Sequence, residues 1–224
     1  MWSSHRRGQA GEPTPEQHEQ WRRRMSPPEN EFPAGVGLTV LLGRTGDAAV
    51  GITKLEAFST GFRFVLAVRL RQARPELDLG GLLTLVHPRA HRGVEIPLPD
   101  RLLLGVEYSD GRRASTLEDI RLQGPAVAAG GQELSLAQSD GSSGDLSADQ
   151  TYWVFPLPPA GPVTFVLSWP AFGMPEAQTV LDSAPIRAAA DHSQLLWPPQ
   201  PAAELPQPPP PPRPSAGWFA GPPG

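Results

Sequence analysis

Residues 152–169, YWVFPLPPAGPVTFVLSW, constrain the fold more than any other part of the chain. Two aromatic-rich apolar runs flank a proline-rich connector, and each run follows the two-residue period of a strand. Trp153 and Phe155 share one face of the first run, and Val163, Phe165, Leu167 and Trp169 share one face of the second. The pattern predicts a β-hairpin. Its Trp153, Phe155, Phe165 and Trp169 are expected to fill the space between two sheets, with Pro156, Pro158, Pro159 and Pro162 at the strand ends. The stretch specifies architecture and carries no catalytic group.

The same period recurs upstream. Phe62, Phe64, Leu66, Val68 and Leu70 alternate with Arg63, Val65, Ala67, Arg69 and Arg71, as in a strand with one face on a core and one toward water. On the preceding run, residues 49–58, Lys54 and Glu56 alternate likewise, so Glu56 is expected to pair across strands with an arginine; a partner-binding arginine face is the alternative. An apolar run at 36–42 ends at Gly43, and GRTGD reads as a turn. Short strands are expected at 82–86 and 102–108. Asp110 and Gly111 then suit a type I′ turn, with the return strand beginning near Arg112. A weaker strand is expected at 132–137, SDGSSGDLSAD reads as a flexible loop, and 177–182 supplies a last strand. Pro185 fits the first turn of a helix running to Trp197, with Ile186, Ala189, Ala190, Ser193 and Trp197 as its apolar stripe.

Short strands punctuated by turn signals, without alternating long helices, predict an all-β fold. The expected architecture is an antiparallel β-sandwich of immunoglobulin-like character with a short C-terminal helix and disordered termini. A lipocalin-like barrel is the alternative, disfavoured by loop prolines and uneven spacing. The domain is expected over residues 31–198, between a disordered tail at 1–30 and a proline-rich disordered tail at 199–224. Within the first tail, Thr14 suits a helix cap, Pro15 the first turn and Gln17 the capping-box position. Trp21 and Met25, one turn apart, give that short helix a docking face; a frayed tail is the favoured reading.

Apolar residues concentrate between Phe32 and Trp197. A segment of that size buries roughly 70% of the surface its unfolded chain exposes, so no disulfide or metal is needed for stability. The chain has no cysteine, which excludes thiol nucleophiles, thiolate zinc sites and iron–sulfur clusters. No 18-residue apolar stretch and no secretory signal are read in it, so a cytoplasmic protein away from the membrane is expected. Its net charge is −4. Arg22, Arg23 and Arg24 are offset by Glu16, Glu19, Glu29 and Glu31, which argues against nucleic acid as a partner.

Chemistry-bearing motifs are sparse. His87 and His91 have the spacing of two helical metal ligands, but Pro88 breaks a helix and Arg89 and Arg92 repel a cation. The run from Asp140 to Thr151 departs from a calcium loop in its glycine position and lacks the bidentate Glu at its end. There is no G-x-S-x-G elbow and no glycine-rich phosphate loop. Asp191 and His192 are adjacent, as are Glu118 and Asp119, so their side chains diverge. No catalytic residue, metal ligand or cofactor is expected. The remaining candidates lie in the tail, where PPPPPRP offers a polyproline ligand with Arg213 for an acidic partner group, and Trp218 and Phe219 as anchors. A plain spacer is the competing reading.

The fragments LLLGVEYSDGRRAS and YWVFPLPPAGPVTFVLSWPAFGMPE, with the closing run into LLWP, resemble a group of uncharacterised actinobacterial proteins of similar length. The resemblance implies a shared β-rich domain and carries no known activity onto any residue of this chain. The expected function is that of a non-enzymatic protein-interaction module. A small-molecule-binding or enzymatic domain with a site between the sheets is the alternative.

Overall fold

The computed structural model describes residues 14–73, 96–118 and 133–198. The strand expected at 82–86, His87 and His91, and the tail from 199 lie outside them. In chain order the first elements are helix α1 (Pro15–Met25) and strands β1 (Glu31–Phe32), β2 (Ala34–Gly35), β3 (Val40–Arg44), β4 (Ala48–Ala57) and β5 (Phe62–Leu70). Strands β6 (Leu103–Tyr108), β7 (Arg113–Ser115), β8 (Ser135–Ser143), β9 (Ser147–Phe155), β10 (Pro162–Trp169) and β11 (Met174–Asp182) follow. Helix α2 (Ala184–Ala190) and strand β12 (Gln194–Leu195) complete the set.

All the pairings among these strands are antiparallel. One sheet has the order β2-β4-β5-β9-β8, with β3 also on β4; a second has the order β11-β10-β6-β7; β1 and β12 form a two-stranded ribbon. The alternation read in the sequence decides which faces meet. Phe62, Phe64, Leu66, Val68 and Leu70 of the first sheet are buried, as are Leu104, Val106, Tyr108, Val163, Phe165, Leu167 and Trp169 of the second, in one common core. Phe64 stacks on Tyr152 at 5.4 Å and meets Phe165 of the opposite sheet edge-on at 5.5 Å. Each such buried ring contributes about 1.5–3 kcal/mol by leaving water.

The hairpin expected at 152–169 does not form. Strand β9 pairs with β5 and β8, whereas β10 pairs with β6 and β11, so the connector at 156–161 carries the chain from one sheet to the other. The two runs face each other across the core instead of lying side by side. Trp153 and Phe155 also depart from expectation: the core face of β9 is Ala148, Gln150, Tyr152 and Val154. Trp153 lies on the outer face, buried with Phe58, Ala137 and, from α1, Met25, and Phe155 packs on the same cluster. Phe165 and Trp169 do fill the inter-sheet space.

Helix α1 lies within the stretch expected to be a tail, and it packs across β8 and β9. Its capping box is formed as the sequence predicts, with Thr14 and Gln17 bonding each other's backbone N–H groups. The last carbonyls of a helix have no intrahelical donor. Here the sheet supplies them: Trp153 Nε1 donates to Arg23 O at 2.8 Å and Ser135 Oγ to Arg24 O at 3.1 Å.

Irregularities explain the remaining departures. An extra residue in β4 between Thr53 and Glu56 switches the buried parity from Val50 and Ile52 to Leu55 and Ala57, with Lys54 at φ 48°. Strands β8 and β9 together take up most of the expected flexible loop, and β8 bulges between Gln138 and Gly141. The fully buried Gln150 stabilises that bulge, its Nε2 donating to the carbonyls of Ser139 and Asp140 at 3.1 and 3.2 Å. The turn at 108–112 is not type I′. Only Gly111 has positive φ, at 86°, while its N–H bonds Tyr108 O and Tyr108 N–H bonds Arg112 O, as in a three-residue turn closed by a glycine bulge. Between β4 and β5, a Cβ at Gly61 would stand 2.4 Å from Val154 O and 2.7 Å from the Trp153 ring, so only glycine lets that turn lie against β9. The C-terminal helix ends at Ala190 and the chain then pairs with β1, so Trp197 belongs to no helical stripe.

Candidate functional site

Strands β7 and β8 are the edges of their respective sheets and lie next to each other, with α1 across β8. Between these three elements is a cleft of about 300 Å³, lined by Arg24, Arg112, Arg113, Glu118, Glu133 and the residues at the start of β8. Helix register places Arg24 there. Trp21, Arg24 and Met25 fall on one side of α1 at i, i+3 and i+4, and Met25 is held in the Trp153 cluster.

The three arginines differ in how well they are satisfied. Arg113 contacts Glu107 at 3.1 Å across strands. Arg112 contacts Asp110 at 2.7 Å and lies over the Tyr108 ring at 5.4 Å. That side-chain hydrogen bond holds the Asp110 carboxyl below the usual carboxylate range. Arg24 is only 5% exposed, yet among the described residues the one partner of its guanidinium is Glu133 at 3.4 Å, and its Nε is buried without an acceptor. Glu133 itself is exposed, with 69% of its side-chain surface open.

Both tyrosines of the chain are structural. The Tyr108 hydroxyl donates to Pro156 O at 2.6 Å, and that of Tyr152 accepts from Gln138 Nε2 at 2.8 Å. Burial raises both phenols well above their ordinary range.

Of the arginines expected on the outer face of β5, two have carboxylate partners within the chain, and Arg71 is exposed just past the strand end. Arg63 and Glu56 are cross-strand neighbours in contact at 2.6 Å, as the alternation predicts, and Arg69 meets Asp149 at 2.6 Å. Among the described residues no three His, Asp or Glu side chains converge as a metal site. Nor is any described helix long and apolar enough to cross a membrane. His192 bonds the Ala188 carbonyl at 2.7 Å. Arg213, Trp218 and Phe219 lie outside the described residues.

A second feature stands at the opposite register of the chain. In the β1–β12 ribbon Phe32 is 60% exposed and Leu195 62%, and Trp197 just beyond is 52% exposed. The ribbon is firmly placed: Asn30 exchanges hydrogen bonds with Leu196 and Trp197, and the buried Glu31 carboxylate accepts from Ser59 N at 2.5 Å and Ser59 Oγ at 2.7 Å. Neither the cleft nor the ribbon was singled out by sequence. Their residues are far apart along the chain, and the only local signal was the spacing of Trp21, Arg24 and Met25. No protein-family model matches the chain, and neither the curated proteins nor the solved structures give a significant match.

Proposed function

We propose that the chain is a non-enzymatic protein-interaction module built on an immunoglobulin-like β-sandwich, working in the cytoplasm and akin to the actinobacterial group it resembles. The observation that supports this reading is the apolar ribbon. Three large hydrophobic side chains, Phe32 on one face of the ribbon and Leu195 on the other by its register, with Trp197 just beyond, stand more than half exposed on a hydrogen-bonded scaffold. Large exposed apolar groups on a fixed backbone suit a partner surface, because little ordering entropy opposes binding. The ribbon also directly precedes the proline-rich segment at 199–224, so both would meet the same partner.

Affinity capture tests the reading with three baits: the full chain, a chain ending at Pro198, and the full chain with Phe32→Ser, Leu195→Ser and Trp197→Ser. The three substituted positions are exposed, so folding is expected to persist. A partner kept by the first two baits and lost from the third supports a ribbon-centred interface. Loss from the second alone transfers recognition to the tail and its Arg213, Trp218 and Phe219. Capture unaffected by either change counts against the proposal.

A further inference from the structure

We propose that the cleft between α1, β7 and β8 is a receptor for a single carboxylate, which takes the place of Glu133 on Arg24. A guanidinium offers five N–H donors. That of Arg24 is more than nine-tenths buried, has one acceptor among the described residues, at 3.4 Å, and keeps Nε unpaired. A buried cation with so few acceptors is unfavourable by itself and becomes favourable when a bidentate anion fills its fork. The backbone under it is fixed, since Ser135 Oγ holds the Arg24 carbonyl and Trp153 Nε1 that of Arg23. Glu133 is the movable group, with most of its side chain in water.

Charge decides which anion fits. Arg112 and Arg113 already face Asp110 and Glu107, and Glu118 and Glu133 add negative charge to the lining. A monoanion replaces the Glu133 carboxylate on Arg24 one for one as Glu133 moves out into water and so adds a single charge to the cleft, whereas a phosphate dianion would add two opposite those carboxylates. Leu134, Leu136 and Ala114 form the apolar part of the wall, which fits a carboxylate on a short aliphatic stem. Such a group is borne either by a free small acid or by an Asp or Glu side chain of a partner protein. The site is independent of the ribbon, so each can fail without the other.

The test is a titration of the isotope-labelled full chain with sodium propionate against sodium chloride at equal ionic strength. Nuclear magnetic resonance would follow the Arg24 Nε–H and the amides of Ala114 and Ser135. A saturable shift specific to propionate is expected, with affinity roughly tenfold higher in Glu133→Gln, where the internal competitor is gone. Arg24→Met should abolish the shift in the amides while the melting temperature holds or rises, because an apolar isostere replaces an under-satisfied buried charge. If that variant does not fold, Arg24→Lys serves, retaining charge without the fork and binding several-fold more weakly. The peptide Ac-Ala-Glu-Ala-NH2 separates the sources: tighter binding than propionate assigns the ligand to a partner chain, and equal or weaker binding to a free acid. No saturable shift in either the native chain or Glu133→Gln, unchanged affinity in the Arg24 variants, or tighter binding of inorganic phosphate would each overturn the proposal.

Discussion

The packing of Trp153 beneath α1 can be measured as a coupling energy. Its indole is 1% exposed, meets Phe58 edge-on at 5.4 Å, and hydrogen-bonds Arg23 O. Trp153→Ala in the full chain should cost about 3–5 kcal/mol, the usual cost of emptying a buried aromatic site. In a chain beginning at Pro27 the helix, Met25 and the hydrogen-bond acceptor are gone. The contacts with Phe58, Ala137 and Phe155 then remain on a surface opened to water, the Phe58 edge-on pair worth about 0.5–1.5 kcal/mol, so the same substitution should cost about 1–2 kcal/mol. The difference is a coupling of about 2–3 kcal/mol between helix and indole. Urea unfolding followed by far-ultraviolet circular dichroism on all four proteins measures it without relying on tryptophan fluorescence. Costs that add to within about 0.5 kcal/mol would refute the assignment and place the support of Trp153 elsewhere.

Other outcomes follow from the same packing. Phe165→Ala removes the ring that meets Phe64 across the core and should lower stability by about 3–5 kcal/mol in chemical denaturation; a cost below about 1 kcal/mol would contradict the face-to-face arrangement of the sheets. Both phenols are raised above the ordinary value of about 10, so the stability they lend is complete below pH about 10 and is lost as pH climbs toward their folded values. Absorbance at the phenolate band should therefore stay flat through pH about 10–11 in the folded protein and rise on unfolding, whereas titration near 10 while folded would show the tyrosines to be accessible. Gln150→Leu leaves the carbonyls of Ser139 and Asp140 without their buried donor and should cost about 1–3 kcal/mol, with faster amide exchange at 138–141; unchanged exchange there would show the bulge to be self-supporting.

Sequence periodicity identified the strands well wherever one face is buried. The alternation at Phe62–Leu70 gave both the core face and the Glu56–Arg63 pair, because side-chain parity and cross-strand distance are local consequences of a strand. Periodicity carries no information on which strand is the neighbour, and for that reason residues 152–169 read as a hairpin when they bridge two sheets. Trp153 was assigned to the wrong face on the same ground: in a strand buried on both sides, the covering helix is a long-range partner that alternation cannot register. Ser, Gly and Asp in 139–145 signalled a loop by composition, while the deciding group, Gln150, lies on the next strand. In the sequence Arg24 is one of three consecutive arginines offset by nearby glutamates, and only the docking of α1 makes it different.

The alternation of hairpins between the sheets sets an order for assembly during synthesis. The pairs β4–β5, β6–β7, β8–β9 and β10–β11 are neighbours in sequence, and successive pairs belong to opposite sheets. Strand β5 thus emerges from the ribosome with one edge open until β9 arrives, and β6 waits likewise for β10. The contacts that seat α1 join residues 111 and 130 positions apart, so the first helix made has no landing surface until most of the chain has been translated. Early in its life the nascent chain carries unpaired strand edges, a state prone to aggregation, and the window closes only when β10 arrives.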